Sequence, residues 1–419
     1  MKIALVTAFP PGRKALAEYG FHLAEQLRQN PGIELTVLGD NLDEPGPELP
    51  EFRVVRCWGF DRASNLATIT RAVRSVKPDL VWFNLGFASF GSKPVAAMLS
   101  LATPMLTRLS GVRTHITLHQ LFETVDLADA GVTSPRLYRA AGWLATHMLL
   151  GASSVSVLLP AYRRMLQDNY KRGRVSARSH GIFAAKPDPP DFSRRGNPGH
   201  RVLAFGKWGT YKKLEVLIEA FEQISADIPD AELVIGGGDH PKTPGYVAAT
   251  AARYGNKRIH FLGYVAEDAI AELFKAASVA VMAYTSSAGS SGVAHLAAQY
   301  GVPIIASDIA DFRELAEHEH MAMEFFPSGD TAALAGKLRE LLQSPETLAA
   351  MSEQNFAAAI QLTMPEVVRE YLRGFEKVRR LNVLRDLSKV RQSPAWLPGR
   401  QSRARKLGNE VQSWENSGD

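Results

Sequence analysis

Short apolar runs alternate with amphipathic stretches along most of this chain, and that alternation predicts its elements. "KIALVTAF" at the N-terminus reads as a strand, and "LAEYGFHLAEQLRQN" follows it with Leu16, Tyr19, Leu23, Ala24 and Leu27 at helical spacing. "GIELTVLG" then returns as a strand, and "KPDLVWFN", "RTHITLH" and "SVSVLL" extend the series, each behind a helix-compatible segment. Strand-like runs separated by helices imply a parallel sheet covered on both faces, so residues 1–185 are expected to form a doubly wound domain.

The period lapses in "HGIFAAKPDPPDFSRRGNPGH", whose prolines, glycines and scattered charge mark a linker, placed at residues 186–200. A second series, "RVLAFGK", "AELVIGGG", "KRIHFLGYV", "SVAVMAY" and "PIIASD" with helices between, predicts another parallel sheet over residues 201–362. The fold class is therefore α/β, with two doubly wound, Rossmann-like domains facing a central cleft. "MPEVVREYLRGFEKVRRL" is an amphipathic helix, placed at 363–381, and a polar, basic tail is expected over 382–419.

Composition narrows the class. At 419 residues, two domains are the default. The 46% hydrophobic and 22% charged content excludes a largely disordered or fibrous chain. The net charge of +5 is modest, but the last 39 residues hold seven Lys/Arg against four Asp/Glu. "SRARKLGN" there suits phosphates or an anionic membrane surface, and equally reads as a solvated terminus. The single cysteine, Cys57, excludes an internal disulfide and fits a reducing compartment. The N-terminal run is too short for a signal peptide, so a cytoplasmic location is expected. The apolar segment Ala140 to Pro160 is diluted by His147, Gly151 and three serines, and reads as a buried helix and strand rather than a membrane span.

Two junctions carry candidate chemistry. In "FGKWGTYKKLEVLIEAFEQI" a strand ends at Gly206, Gly206 and Gly209 permit a tight turn, and Leu214, Leu217, Ile218 and Phe221 stripe the helix beyond. Lys207 and Lys212 flank that turn. Ammonium groups at the carboxyl end of a parallel strand, beside a helix N-terminus, suit a diphosphate; a solvated loop is the other interpretation. In "VMAYTSSAGSSGVAHLAAQYGVPIIAS", Ser290, Ser291 and Gly292 open a helix whose first-turn N–H groups attract an oxyanion, or form only a loop. No cluster has metal spacing, so no metal and no bound cofactor are expected. "GGGDHP" is too incomplete for a dinucleotide fingerprint, which disfavours an oxidoreductase.

The ordered blocks "VLAFGKWGTYKKLEVLIEAFEQI", "IPDAELVIGGGD", "RIHFLGYV", "AELFKAASVAVMAY", "GVPIIASDIADFRELAE" and "FPSGDTAALAGKLRELL" resemble the donor domain of retaining glycosyltransferases of GT-B fold, glycosyltransferase family four. "VTAFPPG", "LAEYGFHLAEQL", "KPDLVWFN" and "ITLHQ" resemble the acceptor domain, so the similarity covers about residues 1 to 378. The resemblance implies metal-independent hexose transfer, with retention, from a UDP- or GDP-linked donor to a saccharide or lipid-linked acceptor. It implies a last helix that packs back toward the first domain. Lys207 matches the family's basic residue, commonly Arg, and Lys212 its lysine; both would neutralise the leaving diphosphate. His119 matches a histidine near sugar and acceptor. Gly12 and Gly20 lie in the loop-to-helix region where relatives approach the phosphates and receive the acceptor. Glu314 matches a downstream glutamate and also suits a surface ion pair.

One departure stands out. The family's donor motif has Glu, seven residues, then Glu, to hold sugar and ribose; Ser287 and His295 occupy those positions. Neither supplies a fixed negative charge. The alternative function is therefore a catalytically weak or inactive sugar-nucleotide or glycan-binding subunit on the same fold. The stretch Leu99 to Arg113, apolar and basic, suggests peripheral contact at the inner face of a membrane, and helix packing explains it as well. No nucleic-acid partner is expected.

Overall fold

All pairings within the two sheets are parallel, as the apolar runs require. The computed structural model describes every residue except 13, 15, 45, 48, 87, 125–133, 172, 193–199, 287, 288 and 416–419. The first sheet comprises β1 (Lys2–Val6), β2 (Glu34–Asp40), β3 (Val54–Trp58), β4 (Leu80–Leu85), β5 (Arg113–Leu118), β6 (Ser154–Val157) and β7 (Val175–Ala177), in the order β3-β2-β1-β4-β5-β6-β7. The second comprises β8 (Arg201–Phe205), β9 (Glu232–Gly236), β10 (Ile259–Gly263), β11 (Val279–Met282), β12 (Ile304–Ser307) and β13 (Met323–Phe326), in the order β10-β9-β8-β11-β12-β13. In each, the order reverses beside the first strand, at β1/β4 and at β8/β11, which is where open α/β sheets gather ligands.

Helices join successive strands. Around the first sheet run α1 (Ala17–Arg28), α2 (Asn65–Val76), α3 (Pro94–Leu101), α4 (Thr103–Leu109), α5 (Pro135–Leu149) and α6 (Pro160–Tyr170). Around the second run α7 (Glu215–Ile224), α8 (Tyr246–Arg253), α9 (Glu267–Lys275), α10 (Gly292–Gln299), α11 (Ala310–Glu319), α12 (Thr331–Leu342) and α13 (Pro345–Gln361). Proline in the first turn starts α3, α4, α5, α6 and α13, where its missing N–H costs no helical bond. The stripe expected on α7 buries Leu217, Ile218 and Phe221, with Leu214 buried just before it. One apolar cluster runs without a break from Val81, Phe83 and Ile116 of the first sheet to Ala280 and Ile304 of the second.

The chain leaves the first sheet and comes back at the same place. The N–H of Ile182 donates to Leu362 O at 2.8 Å, and Ile182 bridges Thr363 in parallel.

The chain forms two compact units, Met1–Met364 and Pro365–Asp419. The second unit consists of nearly all of α14 (Met364–Gln392) and of α15 (Arg400–Glu415). The amphipathic helix thus continues past residue 381, and much of the expected polar tail is helical. Arg379 binds Glu376 on its own helix and Glu410 on α15 at 2.7 Å each, which explains why the charge there is structured. The expectation for Ala140 to Pro160 changes too: α5 leads into a buried β6, but it exposes Leu137, Trp143 and Leu144. Among the described residues no helix is long and apolar enough to cross a membrane.

Candidate functional site

The loop after β8 is locked by glycine. Gly206 has φ 149°, its N–H donates to Gly236 O at 3.1 Å, and a Cβ at Gly237 would lie 1.7 Å from Gly206 O. Only two glycines let these strand ends run so close. The chain then turns through Gly209, at φ 104°, so that Lys212 pairs back with Gly209 and bridges Tyr284 beyond β11. Thr285 N–H donates to Tyr211 O at 3.0 Å, completing the tie between the two loops.

That turn sets two lysines apart. Lys207 is exposed. Lys212 projects its Nζ over the Tyr284 ring, 4.5 Å from the centroid, and a Cβ on Gly206 would be 3.4 Å from that Nζ. Burial pulls the Lys212 pKa below the ordinary lysine value. No carboxylate among the described residues pairs with either lysine. An enclosed ammonium that faces bare glycine backbone is a site for an anion.

α10 opens beside this turn. Ser291 caps it, its hydroxyl accepting from Ala294 N–H, and Gly292 begins the helix with an open approach. The Ser290 hydroxyl is buried and has no hydrogen-bond partner among the described residues. Ser287 lies outside the described residues.

His295, expected at the donor sugar or ribose, is placed otherwise. It is 2% exposed; Nδ1 donates to Ser291 O at 2.8 Å and Nε2 meets Glu319 Oε2 at 2.8 Å. Both ring nitrogens are taken, so neither is left for a hydroxyl. Although burial opposes it, the Glu319 carboxylate raises the His295 pKa.

Just beyond β5 of the first sheet, His119 is buried and its Nε2 donates to Asn84 Oδ1 at 2.7 Å, while Asn84 donates to Thr7 Oγ1 at 3.1 Å. Burial pulls His119 down to about 3, so it is neutral at pH 7 and Nδ1 carries a lone pair. Tyr19 sits 4.6 Å from His119 and 4.6 Å from His180, ring to ring, and His180 lies 4.8 Å from His295. A buried polar file thus runs from the first sheet to Glu319. His180 and Glu319 carry no sequence pattern that marks them beforehand.

The two sheets are also joined at the loop holding Gly289. A Cβ there would be 3.1 Å from His119 O, its N–H donates to Asp311 Oδ2 at 2.8 Å, and Tyr162 OH donates to the same oxygen at 2.9 Å. Glu314 accepts from Ala161 N–H and from Arg164, so its surface pair bridges the sheets. Asp311 was missed in the sequence, although it lies in the same quoted block three residues before Glu314.

Gly12 and Gly20 stand apart from this group. A Cβ on Gly12 would meet Phe9 O at 3.1 Å, and one on Gly20 would lie 2.6 Å from Thr7 Oγ1. Gly20 is buried and lets α1 approach β1. Between α1 and α9, Glu18, His22 and Glu267 bring ligand atoms within 4.8 Å of one another, the one grouping with cation-binding spacing among the described residues. Burial and the Glu267 charge raise the Glu18 pKa, and Lys207 opposes them.

Residues 199–344 match the sequence model of the family described as glycosyl transferases group 1. No curated protein matches the chain. Among solved structures, sucrose-phosphate synthase (tll1590) from Thermosynechococcus elongatus is similar at TM-score 0.70 and 18% identity, over 90% of this chain and 98% of that one. Anabaena Alr3699/HepE, solved in complex with UDP-glucose, has TM-score 0.65 and 17% identity over 90% of this chain and 100% of that one. A glycosyltransferase from Rickettsia africae ESF-5 has TM-score 0.64 and 14% identity over 90% of this chain and 98% of that one. Two parallel sheets, each with its order reversed beside its first strand, give the chain the GT-B fold of these structures, and the family match makes residues 199–344 a glycosyl transferases group 1 domain.

Proposed function

We propose that the chain transfers a hexose from a nucleoside diphosphate sugar, held by residues 201–362, to a hydroxyl of a saccharide or lipid-linked acceptor received by residues 1–185, with retention and without a metal. The single observation that carries this reading is the enclosed Lys212 ammonium, which lacks a carboxylate partner and lies against Gly206. In this reading Lys207 and Lys212 neutralise the departing diphosphate, and the first-turn N–H groups of α10, with the Ser290 hydroxyl, hold its second phosphate. The Anabaena protein of this fold binds UDP-glucose, so a UDP-linked hexose is the first donor to try.

His119 is neutral and its Nε2 is engaged, so its Nδ1 accepts a hydrogen bond from a sugar hydroxyl and does not protonate a leaving group. The acceptor proton passes to the leaving phosphate. A cytoplasmic setting fits a chain whose only cysteine, Cys57, forms no internal disulfide.

Thermal shift with UDP, GDP and ADP, followed by a transfer and hydrolysis assay on the matching nucleotide sugars, tests the reading. Stabilisation by one diphosphate with turnover of its sugar supports it; no stabilisation by any of them removes it. A second reading, a binding subunit without turnover, is favoured by His295, whose nitrogens are both committed to the protein. Stabilisation by a nucleotide sugar with no product from any acceptor or from water would select it.

A further inference from the structure

The loop that follows β9 is fastened to the lysine loop through its backbone. Trp208 N–H donates to Gly238 O at 2.9 Å, and His240 N–H donates back to Trp208 O at 2.7 Å. Thr243 Oγ1 donates to the same carbonyl at 3.2 Å, and a Cβ on Gly209 would lie 1.9 Å from that hydroxyl. Residues 237–243 therefore keep their position beside 206–212, with His240 bonded to the residue that follows Lys207. A Cβ on Gly238 would meet nothing within 4 Å, so this backbone borders open space.

The His240 ring is half-buried. Its Nδ1 accepts from Lys242 N–H at 3.2 Å, which puts the proton of the neutral ring on Nε2. That Nε2–H has no partner among the described residues. Burial and the charges of Lys242, Lys207 and Lys212 hold the His240 pKa below its ordinary value, so the ring is neutral at pH 7. Neither His240 nor any of the three lysines forms an ion pair among the described residues. The carboxylates of the neighbourhood are placed otherwise. Asp239 accepts from Gly245 N–H at 2.6 Å and from Val247 N–H at 2.8 Å where α8 begins. Glu18 of α1 and Glu267 of α9 face each other, and the charge of Lys207 reaches Glu18.

Three ammonium groups and an idle N–H beside open glycine backbone suit more than one phosphate oxygen. We infer that His240 is a further binding residue of this site, its Nε2–H donating to a phosphate oxygen of the nucleotide that Lys212 attracts. A neutral donor adds a hydrogen bond to the phosphates without adding a fourth positive charge to the unliganded corner, where it would be repelled by the other three. The inference rests on the transferase reading, which sets a diphosphate against Gly206.

Isothermal titration of the full chain with UDP, GDP and ADP, repeated on three His240 variants with whichever binds best, tests it. The backbone bonds that fasten the loop are kept in every variant. His240→Gln sets an amide donor near the Nε2 position and gives up the Nδ1 acceptor. His240→Asn keeps an acceptor for Lys242 N–H and gives up the outer donor, and His240→Ala gives up both. His240→Gln is expected to bind within about 3-fold of wild type, and His240→Asn and His240→Ala about 10- to 100-fold more weakly, the scale of one hydrogen bond to a charged acceptor. Unchanged affinity in all three variants overturns the inference, and so does equal weakening of all three. The reverse order, with His240→Asn near wild type and His240→Gln weak, also overturns it, because His240 would then act only by shaping its loop. If the wild type binds none of the three diphosphates, the transferase reading falls and takes this inference with it.

Discussion

The Lys212 ammonium stands 4.5 Å from the centre of the Tyr284 ring, and that aromatic face, not a carboxylate, is its neighbour among the described residues. A cation held this way is under-solvated until an anion arrives. Lys212→Met is therefore expected to cut turnover by about 100-fold or more, the scale for losing one group that stabilises developing charge. Burial holds the folded-state pKa of Lys212 below its unfolded value, so carrying the charge costs the unliganded fold stability. The unliganded variant should melt at or above the wild-type temperature, while its stabilisation by a nucleoside diphosphate shrinks.

The Tyr162 hydroxyl and the Gly289 N–H share one oxygen of Asp311 between the two sheets. Tyr162→Phe removes one donor from a buried carboxylate and should lower stability by about 1.5–3 kcal/mol, read as a lower urea midpoint. An unchanged midpoint would mean that this contact does not hold the sheets together.

The buried histidines pull the pH profile in opposite directions. His295 has a raised folded-state pKa, so its pairing with Glu319 contributes fully below the unfolded value near 6.5 and is lost as pH rises through the folded value. His119 and His115 are both pulled down to about 3 by burial, so they cost stability as pH falls below about 6.5. Glu319→Gln should reduce stability at pH 6 by about 3–5 kcal/mol, with the gap to wild type narrowing toward pH 9 and the acid limb kept. Melting temperatures of the two proteins across this range check it; parallel curves would contradict the ion pair.

Gly237→Ala puts a methyl into the Gly206 carbonyl at a residue with φ 105°. Backbone strain of about 1–3 kcal/mol is expected, together with loss of the diphosphate-induced thermal shift, because the displaced segment is the one that positions Lys207 and Lys212. Gly238→Ala, where a Cβ meets nothing within 4 Å, is the control and should retain both.

Most of the architecture was legible because buried parallel strands leave long apolar runs. The three strands the apolar pattern did not reveal, β3, β7 and β13, are all at sheet edges, where one side lacks a partner and the composition is mixed, as in "VVRCW" and "MEFF". Lys207 and Lys212 were legible as a pair through their flanking glycines. What separates them, an exposed amine and an enclosed one, depends on the Tyr284 contact more than seventy residues away. His295 could be located by matching a motif, but its commitment to Glu319, at the end of α11, depends on a tertiary contact that the local pattern does not carry. At Gly20 the close approach of α1 to β1 by itself calls for a missing side chain, a need that sequence does not separate from a ligand's approach.

The pairing of Ile182 with Leu362 and Thr363 means that the polypeptide passes between the two halves as adjoining threads. Such a seam is compliant to twisting about its own line and stiff to shear across it. A swing of one sheet against the other would take these adjoining threads as its axle.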